Sequence, residues 1–134
     1  MLALALVAVA VQAAPSRPQT QEEIFLAARA AVRAGDYDKL ARYDAQLQGY
    51  LLEPYVESWL LQSRLDSAAA EEVRAFLARQ EGSLLAEQVR KQWLKVLGKK
   101  QRWDLFRSEH PLLVSDDNEI SCYALQARWQ QKDE

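Results

Sequence analysis

The chain has 134 residues, 49% apolar and 27% charged, with a formal charge of −2. That balance fits one globular domain and supplies no net positive field to draw nucleic acid or an anionic membrane surface. Gly and Pro number only four each, too few for a turn-rich β protein, so helices are expected.

Residues 1–14 read MLALALVAVAVQAA, and the uncharged stretch Leu2 to Val11 is too short to span a bilayer, which takes roughly 20 residues. It has the character of the core and cleavage region of a secretory signal peptide, residues 1–13, with Val11 and Ala13 placed for cleavage after Ala13. The basic n-region of such peptides is missing, and a buried N-terminal helix is the competing reading. Residues 14–20 read as a flexible polar start. No integral membrane segment is expected after cleavage, and the compartment is expected to be the periplasm.

From residue 21 onwards a run of short helices is expected. The first covers Gln21 to Ala34, with Ile24, Phe25, Ala28, Ala31 and Val32 on one buried stripe. Gly35 stops it in a left-handed conformation. Asp36 caps a second helix, near Tyr37 to Leu47, with Tyr37, Leu40, Ala41 and Leu47 inward and Gly49 at its end. Pro54 suits the first turn of a third, whose apolar face is Tyr55, Trp59, Leu60 and Leu65.

A fourth helix is expected after Asp66 or Ser67, burying Val73, Phe76 and Leu77 and closed by Gly82. Ser83 caps a fifth, carrying Leu85, Val89, Trp93, Val96 and Leu97 and ending at Gly98 with Lys99 and Lys100. A short sixth holds Trp103, Leu105 and Phe106 and ends before Pro111. Asp116 and Glu119 stand at capping-box spacing and open a seventh. It carries Ile120, Tyr123, Ala124 and Ala127 on one face, and Cys122, Leu125 and Trp129 on another. A helix apolar on two faces expects neighbours on both sides, and hence more chain after residue 134.

No segment alternates with a period of two, so the fold class is all-α. A closed bundle and a stacked array of antiparallel helical hairpins both remain open. A loose echo between the segments around Tyr37 and Trp103, each an aromatic residue followed by Asp, favours the array. The copies lie about two tetratricopeptide periods apart.

One His and one Cys do not make a metal site, and no cofactor is implied. The scattered glycines form no phosphate loop. His110 reads as a solvated loop residue, and nothing orients a Cys–His pair. Cys122 is either a buried, inert thiol or the partner of a cysteine beyond residue 134. Glu57-Ser58, followed by Trp59, is the one candidate acid for glycosidic cleavage. Against it stands a structural Glu57 that caps, pairs with Arg64 or faces water. Glu71 with Arg74 and Glu87 with Lys91 have the spacing of helical ion pairs. Basic residues at 90, 91, 95, 99, 100 and 102 read as a helix C-terminal surface rather than a nucleic-acid site.

The segment from Gly35-Asp36-Tyr37 to Tyr50-Leu51-Leu52-Glu53-Pro54-Tyr55-Val56-Glu57 resembles the N-terminal superhelical U-domain of soluble lytic murein transglycosylases. That family carries an aromatic-and-proline segment of the type Tyr-Pro-Leu-x-Pro-Tyr-Leu-Glu. The stretch Cys122-Tyr123-Ala124-Leu125-Gln126-Ala127-Arg128-Trp129 is similar to its Cys-x-Tyr-x-x-Ala-x-Trp helix. The resemblance covers roughly residues 21–130. It implies tetratricopeptide-like hairpins forming part of an α-superhelix, continuing beyond this C-terminus. Pro54, Tyr55, Glu57, Tyr123 and Trp129 are its structural motif residues. It implies a disulfide from Cys122 to a later cysteine.

Members cleave the β-1,4 bond between N-acetylmuramic acid and N-acetylglucosamine to a 1,6-anhydro product, using a separate C-terminal domain. That domain's Glu-Ser motif is followed by a Gly-Leu-Met-Gln type segment. No such segment follows Glu57, so no catalytic residue is assigned in this chain. The expected role is a scaffold that guides peptidoglycan glycan strands. A free-standing tetratricopeptide-like interaction module and a small muramidase using Glu57 are the rivals.

Overall fold

The computed structural model describes residues 17–132. The predicted signal peptide at 1–13 lies outside them, as do residues 14–16 of the polar start. The described part is all-helical, as the absence of period-two patterning predicts. It runs α1 (Gln21–Ala34), α2 (Tyr37–Gln46), α3 (Glu53–Gln62), α4 (Ala70–Arg79), α5 (Leu84–Lys99), α6 (Trp103–Glu109), a 3-10 turn (His110–Leu112) and α7 (Asn118–Lys132).

Local chemistry sets most of these boundaries. Thr20 opens α1 with a full capping box, accepting from the Glu23 N–H at 3.2 Å while its own N–H donates to Glu23 at 2.9 Å. Those bonds and the Arg17 guanidinium hold the Glu23 carboxyl below the usual carboxylate range, the Thr20 N–H foremost. Gly35 closes α1 at φ 70°. Asp36 caps α2 through the Lys39 N–H at 3.0 Å, and Ser83 caps α5 through the Ala86 N–H at 3.1 Å.

Several expected boundaries move. Helix α4 begins at Ala70, with Ala69 rather than Asp66 or Ser67 before it and no side-chain cap. Asp117, not Asp116, caps α7 by accepting from the Ile120 N–H at 3.0 Å. Asp116 is drawn away to His110. Gly98 does not stop α5, which runs through it to Lys99, and Gln101 takes the left-handed conformation instead at φ 57°. Gly49 and Gly82 lie in the turns beyond α2 and α4.

Two cores form. Ile24, Ala28, Ala31, Leu40, Leu47 and Val56 knit α1, α2 and the start of α3. Leu61 and Leu65 carry the other end of α3 into a larger core with Val73, Phe76, Val89, Trp93, Phe106 and Ile120. Helices α1, α3, α5 and α7 touch in succession, while α2 packs on α1 and α3, α4 on α5, and α6 on α5 and α7.

Some inward assignments fail. Tyr37 and Ala41 are exposed, because α2 is amphipathic about Leu40 alone, the one residue it buries. Tyr55 is exposed and Val56 takes the buried place beside it. On α7 the face of Ile120, Ala124 and Ala127 is buried as expected, whereas Leu125 and Trp129 are 61% and 69% exposed.

Candidate functional site

A groove of about 830 Å³ lies between the α4–α5 turn, the start of α5 and the segment that carries Leu112, Val114 and Ser115. That volume is in the range of small-molecule sites. Its rim is apolar and exposed, built from Leu84, Leu112 and Val114. In its floor lies Glu109, 5% exposed. A buried carboxylate requires cationic partners. The Arg74 Nε donates to Glu109 at 2.7 Å, and the Arg90 Nε stands 3.9 Å from its other oxygen. Arg74 also donates to the Ser108 hydroxyl at 3.2 Å.

The Arg90 Nε is itself buried without a hydrogen-bond acceptor, one of the few such atoms among the described residues. Across the groove, Glu87 accepts from the backbone N–H groups of Val114 and Ser115 at 3.1 and 3.2 Å and so pins the 113–115 segment to α5. The expected pairs Glu71–Arg74 and Glu87–Lys91 do not form. Both inner members are taken by tertiary partners that bind them more fully than an exposed helical neighbour would.

A second surface lies on the first core. Phe25 of α1 stacks on Trp59 of α3 with centroids 5.6 Å apart and planes at 29°. Tyr50 and Tyr55 meet Phe25 at 6.4 and 6.5 Å, and Tyr55 also meets Trp59 at 6.5 Å. Offset and edge contacts of this kind are the favoured aromatic geometries. Tyr55 is 44% exposed, and the other three rings are half-buried.

Close by, α2 and α3 gather carboxylates. Burial first, then the charges of Glu53 and Glu57, push the Asp44 carboxyl above its ordinary value. The Asp44 Oδ1 is buried without a partner, and Glu53 accepts from the Gly49 N–H at 2.7 Å. Glu57 is paired with Arg79 of α4, not with Arg64, which binds Glu72 instead. Glu57 is therefore a brace between α3 and α4. Its neighbour Ser58 is buried and donates to the Tyr55 carbonyl at 2.7 Å.

His110 is not a solvated loop residue. It lies in the 3-10 turn, stacked on Phe106 at 5.3 Å and 2.8 Å from Asp116. Cys122 is exposed, which removes the buried-thiol reading. The basic cluster is dispersed. Arg90 faces Glu109, Lys95 binds Asp117 and Glu119, Lys100 donates to the Asp66 carbonyl and Arg102 lies by Asp104. Of the motif residues, Pro54 stands in the first turn of α3, Tyr55 and Glu57 diverge to the aromatic face and to Arg79, and Tyr123 packs edge-on to Phe106.

Among the described residues, no group of three or more His, Cys, Asp or Glu side chains could hold a metal ion. Among them, too, no helix is long and apolar enough to cross a membrane. Sequence reasoning missed the Arg74–Glu109–Arg90 hub, whose partners are too distant along the chain to leave a periodic signal. It also missed the clustering of Phe25 with the Tyr50–Trp59 segment. The only available hint was the density of aromatics there. Comparison with protein-family models, curated proteins and solved structures returns no match.

Proposed function

We propose that the chain is a helical scaffold domain that positions peptidoglycan glycan strands in the periplasm, as a segment of the superhelical domain of a lytic murein transglycosylase. The observation that carries this reading is the order of helix contacts. Helices α1, α3, α5 and α7 form one continuous row, and α2, α4 and α6 each pack on members of that row. The α1–α2 and α5–α6 neighbours pack as hairpins and support a stacked array, although α4 packs chiefly on α5 rather than on α3; a closed bundle would bring first and last helices together. In such an array the exposed Leu125 and Trp129 of α7 are the surface a further hairpin would cover.

The first resemblance motif is compatible with a scaffold role. The Pro54–Glu57 segment starts α3, presents Tyr55 outwards and braces α4 through Glu57 and Arg79. Glu57 is ion-paired and partly exposed, whereas a general acid for glycoside cleavage calls for a desolvated carboxyl beside the scissile bond. Cosedimentation with purified murein sacculi tests the proposal. The chain is expected in the pellet, displaced by soluble glycan fragments; a chain that stays wholly in the supernatant contradicts it.

A further inference from the structure

We infer that a small cleft between α6 and α7 is a binding site for a phosphate group, held by Arg107 and Arg128. The inference goes beyond the peptidoglycan reading and does not rest on it. The cleft measures about 110 Å³ and is lined by Phe106, Arg107, His110, Ala124, Ala127 and Arg128. That is the space of a few waters at roughly 30 Å³ each, enough for one small ion and well below the roughly 300–1,000 Å³ of a drug-sized site.

The walls are fixed by packing. Ala124 and Ala127 stand about one helical turn apart on the buried face of α7 and put only methyl groups into the interface. Phe106 is buried beneath them, and His110 stacks on its ring at 5.3 Å. His110 is held in turn by Asp116, 2.8 Å from its Nε2.

The charge in the cleft has one sign. Three basic side chains line it and no carboxylate does. Arg107 is only partly exposed, and its Nη1 donates at 3.2 Å to the Ala127 carbonyl of α7 rather than to the carbonyls that end α6. That bond ties the guanidinium to the opposite wall. Neither Arg107 nor Arg128 enters an ion pair among the described residues. The neighbouring carboxylates are engaged elsewhere, Asp104 by Arg102 and Asp116 by His110. A half-buried guanidinium without a counter-ion gains from a small anion, because solvent screens their attraction less than at an open surface.

Shape selects among anions. Arg107 approaches from α6 and Arg128 from α7. A planar carboxylate matches one guanidinium fork, whereas a tetrahedral phosphate presents oxygens to forks arriving from two sides. A phosphate monoester is accommodated as well as the free ion, since Arg128 is exposed and the ester group extends past it into solvent.

Titration calorimetry of the full chain at constant ionic strength tests this, with inorganic phosphate, glycerol phosphate and acetate as probes. Phosphate is expected to bind, and acetate about tenfold more weakly. Tighter binding of glycerol phosphate assigns the site to a monoester, and tighter binding of inorganic phosphate to the free ion. Arg128→Ala, at an exposed position outside both cores, is expected to weaken phosphate binding about tenfold. Arg29→Ala removes the same charge from an exposed position on α1 and is expected to change nothing. Absence of phosphate binding, acetate binding as tightly as phosphate, or equal losses from Arg29→Ala and Arg128→Ala would each overturn the site.

Discussion

Tyr123 of α7 lies against Gly98 in the last turn of α5. A methyl group on Gly98 would overlap the Tyr123 ring at its root and stand 2.5 Å from Cδ2. Gly98 lies within the last turn of α5 and is not among the residues with positive φ, so its lack of a side chain serves close approach and not a turn. The contact lets α7 lie close on α5, with Tyr123 reaching Phe106 at 6.5 Å.

Gly98→Ala therefore sets two effects against each other. Helix propensity favours alanine by roughly 1 kcal/mol. Overpacking against a ring at its rigid end costs about 1–3 kcal/mol. The expected net is a loss of up to about 2 kcal/mol by urea unfolding. In a Tyr123→Ala background the clash is gone, and the same substitution should become neutral or stabilising.

Glu109 is the most deeply buried charge among the described residues, with a side chain 7% exposed. Glu109→Ala leaves two guanidinium groups facing each other and is expected to cost about 3 kcal/mol in urea unfolding. Arg74 is 44% exposed and keeps access to water. Arg74→Ala should cost no more than about 1 kcal/mol, because solvent screens that half of the hub. Equal losses from the two substitutions would contradict the hub.

Helix α7 depends on Asp117. Hydrogen bonding from Lys95, and then the Ile120 N–H, hold the Asp117 carboxyl below its ordinary value. A depressed carboxylate stabilises the fold at pH values above the unfolded value of about 4, and that contribution is lost as pH falls through the lower folded value. Asp117→Ala should lower the melting temperature at pH 7, with the difference shrinking in acid. Asp116→Ala, which removes only the His110 partner, should leave the α7 start in place, as read by amide exchange of Ile120.

Asp44 runs the other way. Its carboxyl is raised by burial and by Glu53 and Glu57, so the native state takes up a proton more readily than the unfolded chain. Ionised Asp44 therefore weakens the fold at neutral pH, and the penalty shrinks as pH falls below the folded value and is gone below the unfolded one. Asp44→Asn should raise the melting temperature at pH 7 and match the parent chain in acid. A lower melting temperature at pH 7 would contradict this account of the site.

The elements were legible where a short-range rule decides them. Gly35 after Ala34, Asp36 before Tyr37, Ser83 before Leu84 and Pro54 in the first turn of α3 each act within one helical turn. The all-α class followed from the same local periodicities. The failures lie where tertiary contacts override local ones. Gly98 looked like a stop because glycine usually is one, and only the presence of Tyr123 from α7 explains it. Arg74 and Glu87 had helical partners by spacing and took distant ones. The capping residue of α7 moved to Asp117 because His110 and Lys95 divide Asp116 and Asp117 between them. The groove around Glu109 was invisible for the same reason, since its walls come from α4, α5, α6 and the 3-10 turn.

The claim that this chain supports a glycan strand without itself cutting it is tested most directly by incubating it with purified sacculi and analysing the soluble fraction for muropeptides. The account predicts no release beyond the buffer control. Appearance of 1,6-anhydro-muropeptides that Glu57→Gln abolishes would contradict it.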